Sequence, residues 1–289
     1  DTGVMESGSF SADVDNTTKN PSGTIYLHAC TVKSGSINVG AEVSTAVDEE
    51  RRADITRNHT AAHLLQSALR EVLGNHVQQA GQLVSDDYFR FDFTHFEALT
   101  AKELIEVQNL VNKKILEAIP VTTQEMPIEE AKKLGAMALF GEKYGDVVRV
   151  VSAGDFSVEF CGGTHVKNTA EIKTFKILSE SGVAAGVRRI EALTGDNVIA
   201  YYKKMEEEFQ EAAKVVKSTP ANLKERLEHL TAEMKELQSE NEALKSRAAK
   251  DALGDVMNQI EDVKGVKLLA TSVSGVDMNG LRDLGDQLK

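Results

Sequence analysis

Two hydrophobic periods alternate through the middle of the chain. Between Thr56 and Leu73, the residues Ala61, Leu64, Leu65, Ala68, Leu69 and Val72 recur at helical spacing, which predicts a helix stopped by Gly74. Tyr88 to Phe93 has period two instead: Phe89, Phe91 and Phe93 share one face and Arg90 and Asp92 the other, the pattern of a half-buried strand. Residues 101–118 return to helical spacing. Pro120 and Pro127 then bracket a short extended piece, residues 128–134 are expected to be helical, and Val147 to Val151 forms an apolar run suited to a buried strand. Phe156, Val158 and Phe160 alternate with Ser157, Glu159 and Cys161, so a strand here turns Cys161 toward the face of Glu159, and Gly162-Gly163 breaks it. Ile172 to Leu178 and Gly186 to Leu193 are expected as further strands of the same sheet, separated by a turn over the Ser/Gly/Ala-rich stretch from Ser179 to Ala185. Gly195-Asp196 begins the next element. Helices and strands alternate irregularly, which predicts an α+β fold.

The flanks differ from this middle. Residues 1–20 are rich in Asp, Ser, Thr, Gly and Asn, and Thr24 to Ala29 and Ser36 to Val43 are expected as short strands around Lys33-Ser34-Gly35. Together they predict a small β unit, part of a barrel or of a sandwich, closed by Arg51-Arg52. Beyond Val198 the composition turns to Glu, Lys, Ala and Leu. One helix to about Lys217, a break at Ser218-Thr219-Pro220 and a second helix to about Leu253 predict a helical hairpin. In the second helix Leu223, Leu227, Leu230, Met234, Leu237, Asn241, Leu244 and Ala248 alternate by four and three, a heptad seam. Asn241 at an a-type position implies a specific helical partner, either the preceding helix or another chain. Val266 to Val273 is expected as a strand and Met278 to Lys289 as a helix. The first residue is Asp1 and the last lies inside a helical pattern, so a piece of a longer protein is expected.

With 289 residues the chain is long enough for about two domains. Its net charge of −12 is unevenly distributed: residues 1–160 carry −10, residues 161–200 carry +1 and residues 201–289 carry −3. Tight non-specific binding to a polyanion draws on clustered Lys and Arg, so any nucleic-acid contact must be local. No apolar run approaches the ~20 residues that span a bilayer. Two cysteines, Cys30 and Cys161, are too few for a disulfide framework, which favours a reducing compartment and the cytoplasm.

Candidate chemistry concentrates in two short segments. His59-Thr60-Ala61-Ala62-His63 puts two imidazoles one helical turn apart on one face. Alone, such a pair is most simply two surface or capping histidines. Cys161-Gly162-Gly163-Thr164-His165 adds a thiolate and an imidazole across a Gly-Gly turn, where missing side chains let the backbone fold tightly. The resulting set, His59, His63, Cys161 and His165, suits Zn²⁺ better than Mg²⁺ or Ca²⁺, which prefer oxygen donors. Two familiar zinc chemistries fail. A metalloprotease helix needs Glu where Thr60 stands, and the deaminase pairing of H-x-E with P-C-x-x-C is absent. Four protein ligands equally describe a closed structural site, whereas a catalytic one keeps a position open. Asp92 is expected to hydrogen-bond a ligand imidazole, with His95 as the alternative. His28, His76, His95 and His229 have no second partner at metal spacing.

Asn58 to Leu65, Arg90-Phe91-Asp92-Phe93 and Phe160 to Val166 together resemble the editing domains of the alanyl-tRNA synthetase family. Asn168 to Ile172 and Gly186 to Ala192 continue the likeness, which covers nearly the whole chain. Editing domains of threonyl-tRNA synthetases and free-standing trans-editing proteins share the two metal pairs, but the Glu/Lys-rich hairpin and the cut-off α/β unit are closer to the alanyl family. The resemblance implies a partial β-barrel over 1–50, an editing domain over 51–198, a helical hairpin over 199–262 and the start of a C-terminal α/β domain over 263–289. It implies zinc-dependent hydrolysis of the aminoacyl ester of alanine tRNA mischarged with serine, and with glycine as well, with Zn²⁺ on His59, His63, Cys161 and His165. By position in the motif Gln79 and Cys161 belong to the reacting pocket, while Ala62 stands where relatives often carry Thr. Arg188 and Arg189 are expected to contact the tRNA acceptor end, whose phosphates favour guanidinium, although in a strand only one can face it; an exposed charge pair is the plainer alternative. A homodimer through the C-terminal helical region is a further expectation. No P-loop or other nucleotide fingerprint occurs, so ATP and Mg²⁺ would act in a domain outside this chain. A non-catalytic tRNA-binding and dimerisation module with structural zinc is the competing reading.

Overall fold

The computed structural model describes residues 1–20, 23–137, 145–257, 260–270, 272, 282 and 285. Two compact units divide it, Asp1–Lys203 and Lys204–Lys289. The mixture of helices and antiparallel sheets makes the fold α+β, as the sequence predicts.

The first unit opens with β1 (Gly3–Ser7), β2 (Phe10–Lys19), β3 (Tyr26–Ser34) and β4 (Ser44–Val47), which form an open antiparallel sheet in the order β3-β2-β1-β4. The first two strands lie in the stretch that looked only polar and turn-like. Their signal is the Phe10, Ala12, Val14 alternation, all buried, beyond a tight turn at Gly8 where φ is 56°. Ser36 to Val43 is not the strand expected. Ala41 N–H donates to the Asn38 carbonyl and Gly40 has φ 87°, so this segment turns and extension resumes at Ser44.

Helix α1 (Glu49–Leu73) starts seven residues before Thr56, because Asp48 caps it by accepting from Arg51 N–H and Glu49 and Glu50 favour its positive end. Arg51 and Arg52 therefore belong to its first turn rather than to the β unit. Residues 60–69 are buried all round, as in a helix at the centre of a domain. One side of it meets the sheet β10-β11-β6-β5, built from β5 (Gln79–Val84), β6 (Phe89–Thr94), β10 (Phe175–Ala184) and β11 (Val187–Thr194). Phe89, Phe91, Phe93, Phe175 and Ile190 of this sheet, with Val107, Val111 and Ile115 of α2 (Ala101–Leu116), complete the core.

A third sheet, three-stranded, joins β7 (Val121–Pro127), β8 (Val147–Ala153) and β9 (Ser157–Phe160), with α3 (Ile128–Lys133) against it. Hence β9 and the pair β10 and β11 lie in different sheets, contrary to expectation. The break falls at Thr169–Ile172, a 3-10 turn whose Thr169 hydroxyl donates to the Lys114 carbonyl and accepts from Ile119 N–H. Nor is Ser179 to Ala185 a turn. It continues β10 through bulges at Ile177/Ser179 and Gly182/Ala184, and the reversal is confined to Ala185-Gly186.

Helix α4 runs over Gly195–Val215, and α5 over Leu223–Met257 follows a turn at Pro220–Asn222. In the second unit Ala213 and Leu223 are buried and Arg226 donates to the Val216 carbonyl across the turn. The heptad positions Leu227, Met234, Leu237 and Leu244 are exposed on α5, so the preceding helix does not cover that seam. The expected strand from Val266 is shortened to β13 (Val266–Leu268), paired with β12 (Glu261–Val263). The expected helix Met278 to Lys289 lies almost wholly outside the described residues.

Candidate metal centre

Helix α1 aims His59 and His63 at the turn that follows β9, which carries Cys161 and His165. One donor atom from each of the four lies within 4.8 Å of every other. His165 Nε2 is 3.2 Å from Cys161 Sγ, and His59 Nε2 is 3.5 Å from the same sulfur. A tetrahedral zinc with bonds of about 2.0–2.3 Å places its donors about 3.3–3.6 Å apart. The two measured edges are close to that length, and no pair of donors lies more than 4.8 Å apart. The soft sulfur and three imidazoles therefore fit a zinc-type ion.

The surroundings select the protonation states that a metal needs. Thr60 Oγ1 donates to the Thr56 carbonyl at 2.8 Å and so accepts from His165 Nδ1 at 3.2 Å. That fixes the tautomer whose free Nε2 faces Cys161. His59 hydrogen-bonds the Thr164 backbone. Burial pushes the His59 pKa down to about 4 and that of His63 to about 3, and it drives His165 lower still; the Arg149 charge adds to each effect. All three rings are neutral at pH 7. Glu159 stands 3.6 Å from His63 Nε2, but burial raises its pKa to about 8, so this contact joins neutral groups rather than an ion pair. Glu159 accepts from the Ser157 hydroxyl at 3.1 Å.

Asp92 does not support an imidazole. Its two oxygens accept from Arg189 at 2.6 and 2.7 Å, on the far side of the sheet pairing of β6 with β11. His95 contacts His76, with Nδ1 and Nε2 2.9 Å apart. Arg188 is likewise held, by Glu180 at 2.5 and 2.8 Å, and successive positions of β11 turn the two arginines to opposite faces. Gln79 opens β5 opposite Phe93, and Arg70 ties the adjacent Val77 carbonyl to the C-terminal part of α1. Asn58, next to His59, bonds Ser85 at the other end of that strand, so Gln79 lies along the sheet from the ligand pair.

Three supporting residues carried no assigned role from sequence reasoning. Besides Thr60, the buried Asn58 donates to the Ser85 carbonyl at 2.8 Å and accepts from Thr194 Oγ1 at 2.6 Å, tying α1 to the ends of β5 and β11. Arg149 donates to the carbonyls of Cys161 and Gly163. The unbroken Asn-His-Thr order marks the first two, whereas nothing local singles out Arg149.

Half of this site falls within a recognised class of domain. The family of threonyl and alanyl tRNA synthetase second additional domains matches residues 148–191, a span that includes Cys161 and His165. Over its whole length the chain is also similar to alanine–tRNA ligases. It is 58% identical to alanine–tRNA ligase 1 of Lachnoclostridium phytofermentans over 96% of this chain and 31% of that protein. Identity is 48% to the enzyme of Bacillus velezensis, across 100% of this chain and 33% of that protein, and 50% to that of Geobacillus kaustophilus, across 100% and 32%. The chain thus has alanine–tRNA ligases as homologues and fits a fragment of such an enzyme, spanning about a third of the length of the curated relatives it matches.

Proposed function

We propose that this segment hydrolyses the ester of alanine tRNA wrongly charged with serine or glycine, and that its metal is zinc. The observation that carries the reading is the convergence of His59, His63, Cys161 and His165 from α1 and the turn after β9. Physics supplies the need. A synthetic pocket shaped for alanine rejects serine, which only adds a hydroxyl, by no more than about 100-fold, so a second site must check the product. Zinc in this position supplies a Lewis acid that orients the serine head group or polarises water beside the ester. Cys161 and Gln79 are the residues we assign to the reacting pocket, and Arg188 and Arg189 to the acceptor end of the tRNA.

Beyond the site, the proposal places the chain in a cytoplasmic alanine–tRNA ligase whose ATP- and Mg²⁺-dependent charging occurs in another domain, and whose exposed α5 seam pairs with a second copy. No helix among the described residues is long and apolar enough to cross a membrane. One observation favours the competing reading of a tRNA-binding and dimerisation module: four protein donors can fill a tetrahedral shell completely. Release of serine from serine-charged alanine tRNA decides, with alanine-charged tRNA as control, before and after zinc removal and restoration. Selective hydrolysis restored by zinc supports editing. Absence of hydrolysis at saturating tRNA, with zinc bound and the fold intact, overturns it in favour of the binding module.

A further inference from the structure

We propose that Arg149 is a positioning residue of the metal centre, acting on two of its four ligands at once. Its side chain leaves β8 half-buried, and one nitrogen, Nη1, donates to the Cys161 carbonyl at 2.6 Å and to the Gly163 carbonyl at 2.7 Å. The Arg149 carbonyl in turn accepts from Cys161 N–H at 3.0 Å. Two carbonyls two positions apart meet on one nitrogen only if the turn between them is curled, so the guanidinium fixes its curvature.

That curvature is transmitted further. Gly163 N–H lies 3.4 Å from Cys161 Sγ and donates toward it. On its other side Gly163 is packed so closely on His59 that a Cβ there would stand 2.1 Å from Cε1 of the ring. Moving Gly163 therefore moves the thiolate and the imidazole together. Among the described residues no carboxylate pairs with Arg149, and its two side-chain hydrogen bonds both go to the turn. A lysine would keep the charge, but its ammonium ends one bond short of the position of Nη1 and is not held in place by a planar group.

This inference rests on the metal reading above. The test uses the whole 289-residue chain with Arg149→Lys and Arg149→Met. Zinc affinity is measured by chelator competition and ligand geometry by the absorption bands of the Co²⁺-substituted protein. Both variants are expected to bind zinc about 10- to 100-fold more weakly, the usual effect of losing an outer-sphere partner, with altered cobalt bands and unchanged far-UV circular dichroism. Serine release should lose kcat while KM holds. If Arg149→Met does not fold, Arg149→Lys decides, because it leaves the charge in place. Zinc affinity and cobalt bands indistinguishable from the parent in the folded variants overturn the positioning role. Failure of the parent chain itself to bind zinc overturns the metal reading instead.

Discussion

Thr60 and His165 are 105 positions apart, yet the hydroxyl of one accepts the Nδ1 proton of the other at 3.2 Å. The same oxygen accepts from Val166 N–H at 3.2 Å and donates to Thr56, so a residue on the ligand helix sets both the tautomer of His165 and the path of the backbone after it. Thr60→Val keeps the shape and removes the hydroxyl. It strands the buried Val166 N–H at a cost of about 1–3 kcal/mol, and the loosened His165 should weaken zinc binding by about 10- to 100-fold. Urea unfolding of the chelated protein reads the first effect and chelator competition the second. Thr60→Ser should restore both, and a Thr60→Val protein with parental zinc affinity would show that His165 needs no such support.

The two glycines between Cys161 and His165 are unequal. A Cβ at Gly162 meets nothing within 4 Å, whereas at Gly163 it would lie 2.1 Å from Cε1 and 2.5 Å from Nδ1 of His59. Neither glycine has positive φ, so the difference is one of space rather than backbone conformation. Gly162→Ala should bind zinc and fold as the parent does. Gly163→Ala should fold, since the ring can swing aside, but lose most of its zinc affinity because His59 leaves the cluster. Equal zinc contents in the two variants would refute this packing argument.

Much of the site was visible in the sequence because its chemistry is carried by rare residue types at fixed spacing. His59 and His63 one turn apart, and Cys161 and His165 across Gly-Gly, needed only the helix and the turn to converge. The supports were less visible, since Arg149 and Thr60 act on partners distant in sequence through backbone carbonyls and a hydroxyl, which leave no periodicity. Asp92 misled for the related reason that a polar strand face shows which side it occupies but not which cation lies across the next strand. In the fold, long amphipathic elements such as α2 were legible to within a few residues. The strands β1 and β2 were obscured because only Phe10, Ala12 and Val14 alternate within a polar background. Sheet membership failed at Thr169–Ile172, where a hydroxyl on two backbone partners redirects the chain.

Arg188 and Arg189 present a choice between structure and recognition that salt can resolve. Each guanidinium grips a carboxylate with two nitrogens, Glu180 and Asp92 respectively. An arginine that also neutralises a tRNA phosphate contributes about 0.7–0.9 to the slope of log affinity against log salt. Titrations of alanine tRNA with Arg188→Ala and Arg189→Ala, at several salt concentrations, should show that loss in one variant only, because the side chains face opposite sides of β11. A loss of thermal stability with an unchanged slope in both would assign the pair to the sheet alone.

The chelated protein should be most stable near pH 6.5, from opposing contributions of the histidines and Glu159. His59 and His63 titrate at 6.5 when unfolded but at about 4 and about 3 when folded, and His165 shifts in the same direction. As pH falls below 6.5, unfolded chains take up protons that folded ones refuse, so stability declines down to the folded values. Glu159 behaves oppositely, with 4.5 unfolded and about 8 folded. Between those values the folded protein holds the extra proton, so this contribution, complete below 4.5, is lost as pH rises through 8. Three histidines outweigh one carboxyl on the acid side, and the carboxyl acts alone between 6.5 and 8. Urea midpoints across this range, for the parent and Glu159→Gln, test the assignment. The variant should keep the acid decline and lose the alkaline one. An alkaline decline that survives in Glu159→Gln would assign it to another group, and a flat acid side would mean that the imidazoles titrate in the folded state as freely as in the unfolded chain.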